Sequence, residues 1–227
     1  MNAVIYYSNT GESQKIATYL AQKAEYALID LTRMPTCVFD NAILVFPVHC
    51  QNLPAAVKKC LLTITAKNLA IIATYGKMRH GNVLWEAQKL WQGNVIAAAY
   101  VPTKHTYLPG DTTFTQMEKL DAIIHKFSNP TPITVPRARK SIFAGVFDGA
   151  RSRVGVKLRR TKQCADCNEC ATVCPNNAIK RGKPNGKCIR CLKCVHHCPQ
   201  KALVFSLRLP MRLYLKKRKV DELKIYV

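Results

Sequence analysis

The sequence is short of acidic residues. Its 227 residues include 13 Asp and Glu against 35 Lys and Arg, a formal net charge of +22. The imbalance is uneven: residues 1–127 hold 12 Lys and Arg against 8 Asp and Glu, whereas residues 128–227 hold 23 against 5. A field of this sign attracts acidic proteins, nucleic acid or anionic lipid, so the second half of the chain is expected to carry a basic face.

Long apolar runs are also missing. The longest, such as AILVFPV at 42–48, fall far short of the roughly 18 residues of a membrane span. The opening MNAVIYYSNTG lacks a basic start, an apolar run and a small-residue cleavage site. We therefore expect a cytoplasmic protein, and in a reducing compartment its 11 cysteines favour metal binding over disulfides.

Eight of the cysteines form two runs with one spacing, C-x2-C-x2-C-x3-C-P, at residues 164–175 and 188–199. Zinc is usually held by two C-x2-C pairs from separate loops. A third cysteine at the same short interval instead lets one loop reach three irons of a cubane cluster. A zinc module and a redox-sensing thiol cluster are the alternatives.

The two runs, together with NNAI at 176–179 and KAL at 201–203, resemble the bacterial two-cluster ferredoxins. In that family the fourth cysteine of each run binds the cluster of the other run. The resemblance implies two [4Fe–4S] clusters. The ligands of the first would be Cys164, Cys167, Cys170 and Cys198. The ligands of the second would be Cys188, Cys191, Cys194 and Cys174.

The first half of the chain alternates short apolar runs with helical patterns. Strands are predicted at 2–8, 26–31, 42–48, 69–76 and 95–102. Helices are predicted at 13–24, after Pro54, at 82–91 and at 114–127. This alternation predicts an α/β doubly wound parallel sheet of five strands. For the second half, the resemblance to two-cluster ferredoxins implies a small α+β domain around the cysteines.

A glycine loop, SNTGES at 8–13, separates the first strand from the first helix. Such a loop presents backbone N–H groups and a helix N-terminus, which together suit a phosphate. The pattern G-x-G-x-x-G and the lysine of a P-loop are both absent, which argues against a dinucleotide or a nucleoside triphosphate. An ordinary helix cap is the alternative.

The loop resembles the flavodoxin pattern [ST]-x-T-G-x-[ST], and the resemblance implies an FMN site. The phosphate loop would consist of Ser8, Asn9, Thr10, Gly11, Glu12 and Ser13. The loops after the third and fourth strands would border the flavin ring through Pro47, Val48, His49, Tyr75 and Gly76. No tryptophan lies in these loops, so His49 or Tyr75 would stack on the ring.

We divide the chain into an FMN-binding flavodoxin-like domain (1–127), a basic linker or docking arm (128–163), a ferredoxin domain (164–205) and a basic C-terminal tail (206–227). The whole chain resembles the flavodoxin–ferredoxin fusion proteins known mainly from anaerobes. This resemblance implies an electron-transfer iron–sulfur flavoprotein that passes single electrons between the clusters and FMN.

Acidic redox proteins, such as a ferredoxin, a flavodoxin or a reductase, are the partners expected on the basic face. Two other functions stay open. One is a flavin-dependent reductase of a small substrate, fed through the clusters, with residues 100–111 as its lid. The other is a redox-sensing protein with a degenerate flavodoxin domain that binds nucleic acid or an anionic membrane surface. No catalytic residue is assigned.

Overall fold

The structure is a computed structural model that describes residues 1–34, 38–108, 110–141, 144, 148–217 and 219–227, without side chains for 148–151. Parts of the predicted linker (142–143 and 145–147) and of the predicted tail (218) therefore lie outside the described residues. The chain forms two compact units. The N-terminal unit comprises Met1–Ala144 and Lys219–Val227, and the cysteine unit comprises Gly145–Arg218.

The N-terminal unit alternates strands and helices as the sequence predicts. Its strands are β1 (Asn2–Tyr6), β2 (Ala27–Asp30), β3 (Val38–Pro47), β4 (Thr65–Tyr75), β5 (Asn94–Pro102) and β10 (Lys224–Tyr226). Its α-helices are α1 (Glu12–Ala24), α2 (Ala55–Thr63), α3 (Val83–Leu90) and α4 (Asp121–His125). Short 3-10 turns cover Leu31–Arg33, Met117–Leu120 and Lys126–Ser128. Among the described residues, every helix is too short or too polar to cross a membrane.

The strands form one sheet in the order β2-β1-β3-β4-β5-β10, and β1 to β5 run parallel. The order 2-1-3-4-5 is that of flavodoxin-like sheets, so the expected parallel sheet is confirmed. The expectation of five strands is wrong. Residues Lys224–Tyr226 pair antiparallel with Ala98–Tyr100 as a sixth strand. They cover the outer edge of β5, whose backbone groups would otherwise lack partners.

Apolar cores lie on both faces of this sheet. On one face, β-strand side chains pack with Val57 and Leu61 of α2 and with Leu84 of α3. On the other face they pack with Ile16 and Leu20 of α1 and with residues of α4. Strands β3, β4 and β5 are therefore buried on both sides, which explains their almost unbroken apolar sequences.

The cysteine unit is built from short elements. These are α5 (Asp148–Gly155), β6 (Val156–Arg160), α6 (Glu169–Thr172), β7 (Ile179–Lys180), β8 (Lys183–Pro184), α7 (Lys193–His196), β9 (Leu203–Leu207) and α8 (Leu209–Leu215). Strands β6 and β9 pair antiparallel and bracket both cysteine runs, while β7 and β8 form a hairpin between the runs.

The two cysteine runs share one backbone conformation as well as one spacing. Each run contains one short helix, α6 or α7, that starts after a residue with positive φ, Asn168 or Leu192. Positive φ angles recur at an offset of 24 residues in three pairs: Asp166 and Arg190, Asn168 and Leu192, Asn177 and Lys201. Non-glycine residues seldom adopt this conformation, so its repetition indicates that each run is wrapped in the same way.

Candidate functional site

The glycine loop lies between the end of β1 and the start of α1. Gly11 adopts φ 91°, and its N–H donates to Ser8 Oγ at 3.1 Å. A Cβ on Gly11 would meet no heavy atom within 4 Å, so the loop opens onto free space. The first N–H groups of α1 have no partner inside the helix. The loop can therefore present backbone donors to an anion, as the sequence predicts.

Two side chains of the loop are used to fix it in place. Ser13 Oγ is 2.8 Å from Thr74 Oγ1 of β4, a buried contact. The carboxylate of Glu12 is buried, lies 3.1 Å from Lys15 Nζ and accepts a hydrogen bond from Thr113 Oγ1. Because Ser8, Glu12 and Ser13 are engaged internally, the anion donors left to the loop are its backbone N–H groups and the hydroxyl of the half-buried Thr10.

The loop after β3 makes a tight two-residue turn. His49 and Asn52 exchange backbone hydrogen bonds of 3.1 and 2.8 Å. Between them, Cys50 and Gln51 have φ of 50° and 68°. Two consecutive positive φ angles define a type I′ turn, which glycine and asparagine normally occupy. The loop therefore holds a strained backbone at the position where the flavin resemblance places the ring.

His49 ties this second loop to the glycine loop. Its Nε2 lies 2.9 Å from Asn9 Nδ2. Burial lowers the pKa of His49 to about 4, so the ring is neutral at pH 7 and Nε2 accepts from the Asn9 amide. Asn9 is 7% exposed, and its Oδ1 has no hydrogen-bond partner among the described residues. A donor from a bound ligand would satisfy this oxygen.

The loop after β4 is enclosed by segments that are distant in sequence. Tyr75 is buried; its hydroxyl donates to the Glu222 carbonyl at 2.6 Å and accepts from the Glu222 N–H at 3.1 Å. Lys77 Nζ lies 2.9 Å from Asp221 and 2.6 Å from Thr112 Oγ1. A Cβ on Gly76 would come within 2.8 Å of the His105 ring, so a larger residue would displace this contact.

The predicted flavin residues thus lie at the carboxyl ends of three neighbouring strands, β1, β3 and β4. Pro47, Val48 and Gly76 are half-buried, whereas Tyr75 is buried against the C-terminal segment. Sequence reasoning missed the contribution of residues 112–113 and 219–222. The only signal for the latter was the pair Asp221 and Glu222, the sole acidic residues after Glu169.

The ion pair between Lys77 and Asp221 gives one stability prediction. Lys77 is buried, with 6% of its side chain exposed, whereas Asp221 is 58% exposed. Asp221→Asn removes the ion-pair partner of a buried ammonium and leaves it the more distant charge of Asp111. We expect the free energy of unfolding to fall by about 1 kcal/mol. Urea unfolding of the protein measures this. Glu222→Gln is the matched control, because its pair with Lys224 is exposed on both sides; equal midpoints for both variants would contradict the prediction.

Burial also makes the N-terminal unit sensitive to acid. Burial lowers the pKa of His105 to about 4; the charge of Asp111 opposes this shift and the charge of Lys219 adds to it. Burial also lowers the pKa of His49 to about 4. Since an unfolded histidine has a pKa near 6.5, the unfolded chain binds more protons between about pH 6.5 and 4. The free energy of unfolding should therefore fall as pH drops through that range, by up to about 3 kcal/mol per histidine.

Urea unfolding at pH 7 and pH 5 checks this expectation. Tryptophan fluorescence is the probe, because both tryptophans belong to the N-terminal unit. His105→Gln should flatten the pH dependence, and replacement of the exposed His125 by Gln should leave it unchanged. A pH dependence that is the same in His105→Gln and the parent protein would contradict the assignment.

In the cysteine unit, thiols from both runs meet around one cavity. Its lining includes apolar side chains such as Leu158, Ile179 and Leu192. The cysteines that line it are Cys174, Cys188, Cys191 and Cys194. This set joins the fourth cysteine of the first run to three cysteines of the second, which is the combination that the ferredoxin resemblance implies.

Backbone N–H groups point at several of the sulfurs. The N–H of Ala178 lies 3.2 Å from Cys174 Sγ, and the N–H of Ala202 lies 3.3 Å from Cys198 Sγ. These two contacts are equivalent in the repeat. The N–H of Gly182 lies 3.3 Å from Cys170 Sγ. Donors of this kind stabilise the negative charge of thiolate ligands and tune iron–sulfur clusters.

Burial shapes the chemistry of these thiols. It raises the pKa of Cys191 to about 11, although the N–H and ammonium of Lys193 act in the opposite sense, and it raises the pKa of Cys194 to about 12. Both are neutral thiols at pH 7 until a cationic centre displaces their protons. Among the described residues, no three His, Cys, Asp or Glu side chains converge closely enough for one metal ion.

Comparison with known proteins gives partial matches. No protein-family model matches the chain. The ferredoxin-type protein NapH of Haemophilus influenzae is 31% identical over 71 residues, 26% of this chain and 25% of that protein. The chain thus spans about a quarter of the length of this curated relative.

Two solved structures are also similar. Two-electron reduced flavodoxin from Megasphaera elsdenii is 14% identical, with a TM-score of 0.36 over 48% of this chain and 91% of that one. The Trp repressor binding protein from Bacillus subtilis is 13% identical, with a TM-score of 0.33 over 60% of this chain and all of that one. The fold assignment rests on the strand order of the N-terminal unit.

Proposed function

We propose that this chain is an electron-transfer protein that holds two [4Fe–4S] clusters in the cysteine unit and FMN in the N-terminal unit. The observation that carries the proposal is the cavity in which Cys174 joins Cys188, Cys191 and Cys194. The repeated backbone of the two runs supports an equivalent arrangement around the first run. The 71-residue likeness to a ferredoxin-type protein supports the same chemistry.

The residues of the cysteine unit fit the clusters by the nature of their donors. When bound, the clusters exchange single electrons and FMN exchanges one or two. The cysteine thiolates hold the iron, and the N–H groups of Ala178, Gly182 and Ala202 stabilise their charge. The apolar lining of the cavity keeps water away from the sulfurs.

The glycine loop fits the phosphate of FMN through its backbone. Gly11 faces open space, and the first turn of α1 supplies N–H donors and a partial positive charge. Asn9 offers an unpartnered buried oxygen to a donor of the ligand. His49 orients Asn9, and the pair of Glu12 with Lys15 offsets the carboxylate charge beside the phosphate position.

Counting electrons tests this proposal. An anaerobic reductive titration of the protein as isolated should consume about four electrons per chain, one for each cluster and two for FMN. Visible absorbance distinguishes the broad iron–sulfur bands from the sharper flavin band. Uptake of about two electrons with no flavin band would remove FMN from the proposal, and no uptake would overturn it.

We further propose acidic redox proteins as the partners of the cysteine unit. Residues 170–220 contain no Asp or Glu, so the field around the second run is strongly basic. The rate of electron exchange with an acidic ferredoxin should fall steeply as ionic strength rises from about 0.01 to 0.15 M, over which the Debye length shortens about fourfold. A rate independent of salt would contradict this partner class.

A further inference from the structure

The two cysteine runs can be compared position by position. Their cysteines, their short helices and their residues of positive φ all recur at an offset of 24 residues. A side chain in the first run therefore has an equivalent in the second run that leaves from the same backbone conformation. Differences between such equivalent side chains act on sites that are otherwise alike.

At two equivalent positions the charge is reversed. Asp166 in the first run corresponds to Arg190 in the second, and both have positive φ. Glu169, the first residue of α6, corresponds to Lys193, the first residue of α7. Two negative charges within the first run are thus replaced by two positive charges within the second, a difference of four.

In each run, one of these charges lies close to a sulfur. Asp166 Oδ1 is 4.0 Å from Cys164 Sγ. In the second run, the Lys193 ammonium acts on the Cys191 thiol electrostatically and its N–H donates to the same sulfur. Arg160 pairs with Asp166 and offsets part of its charge, but that pair is solvent-exposed on both sides.

We propose that the site formed with the second run (Cys188, Cys191, Cys194 and Cys174) has a higher reduction potential than the site formed with the first run (Cys164, Cys167, Cys170 and Cys198). The inference rests on the proposed function. One-electron reduction takes a cluster core from 2+ to 1+, with no bond made or broken, and the electron comes from an acidic redox protein. Cations favour the more negative reduced state and carboxylates disfavour it, so an electron delivered to the unit rests at the second-run site.

Solvent exposure acts in the opposite sense and is the weaker effect. Cys167 of the first run is exposed, and water favours the reduced state there, whereas the second-run cysteines are half-buried or buried. This is a difference at one ligand of four. The number of described N–H donors is the same at both sites. In the first-run site Cys170 and Cys198 accept one hydrogen bond each, and in the second-run site Cys174 and Cys191 accept one each. The charge reversal therefore decides the order.

The test is a potentiometric titration of the holoprotein followed by electron paramagnetic resonance, with one variant for each run. Glu169→Gln and Lys193→Gln remove one charge each from equivalent exposed or half-buried positions. At the potential where the second-run site is half reduced, the reduced-to-oxidised ratio of the first-run site should be at least about tenfold lower. This corresponds to a difference of about 59 mV in reduction potential for a one-electron step. Each variant should change the reduced-to-oxidised ratio of its own site by about three- to tenfold.

We expect Lys193→Gln to lower the reduction potential of the second-run site (the upper wave of the titration) alone. We expect Glu169→Gln to raise the reduction potential of the first-run site (the lower wave) alone. Movement of the opposite wave in either variant, or two sites that titrate together in the parent protein, would overturn the inference while leaving the clusters in place. A preparation without iron and sulfide would instead overturn the proposed function, and this inference with it.

Discussion

Replacing Cys164 and Cys198 together by Ala is expected to leave one cluster in the protein, whereas replacing Cys188 and Cys198 together removes both. The reason is that Cys164 and Cys198 are proposed to hold the same cluster although they come from different runs. The first double variant should therefore retain about four iron atoms per chain and the second close to none. Iron and acid-labile sulfide analysis after anaerobic isolation measures this.

The outcome distinguishes crossed from uncrossed ligation. If each run held its own cluster, the two double variants would exchange results, and the pair Cys188 and Cys198 would be the one that spares a cluster. Cys174 lines the same cavity as Cys188, Cys191 and Cys194, which is the neighbourhood that crossed ligation requires. Cys50→Ala is the control, because this exposed thiol lies in the other unit and its loss should leave the iron content unchanged.

Gly11→Asp is expected to weaken FMN binding about 100-fold or more. Gly11 faces open space and directly precedes the first turn of α1, so a carboxylate there adds a negative charge beside the proposed phosphate position. A phosphate monoester carries nearly two negative charges, and a further charge within a few ångströms repels it by several kcal/mol at an intermediate effective dielectric. Quenching of FMN fluorescence, titrated against flavin-free protein, gives the dissociation constant.

Two variants separate charge from backbone strain in that experiment. Gly11→Asn has the same shape without the charge, and it should lose less than about tenfold, the cost of a side chain at φ 91°. Gly110→Asp adds the same carboxylate at an exposed glycine whose Cβ would also meet no atom within 4 Å. An unchanged affinity in Gly11→Asp would contradict the placement of the FMN phosphate at this loop.

Much of the N-terminal unit could be predicted because its signals are local. The runs at 42–48 and 69–76 lie in β3 and β4 except for their last residues, and burial on both faces of these strands selects apolar residues almost without interruption. The sixth strand gave no such signal. It has three residues, too few for a period, and it pairs with β5 across more than a hundred residues of chain. The helix predicted at 114–127 is instead a mixture of 3-10 and α turns that starts at Met117.

For the candidate sites, too, some features could be predicted from the sequence and others could not. The repeated spacing predicts two equivalent cysteine runs, and the resemblance to two-cluster ferredoxins implies which cysteines would share a cluster. The positive φ of Arg190 and Leu192 could not be predicted, because neither residue type favours that conformation. The contacts of Asp221 with Lys77 and of Glu222 with Tyr75 depend on where the chain returns after the cysteine unit, which no local pattern records.

The content of iron, acid-labile sulfide and zinc in protein isolated without oxygen tests the central claim most directly. Two cubane clusters require about eight iron and eight sulfide per chain, with zinc far below one per chain. That result would agree with the eight-cysteine repeat and with the cavity that joins its two runs. One or two zinc ions per chain without sulfide would contradict it, as would eight thiols that all titrate as free.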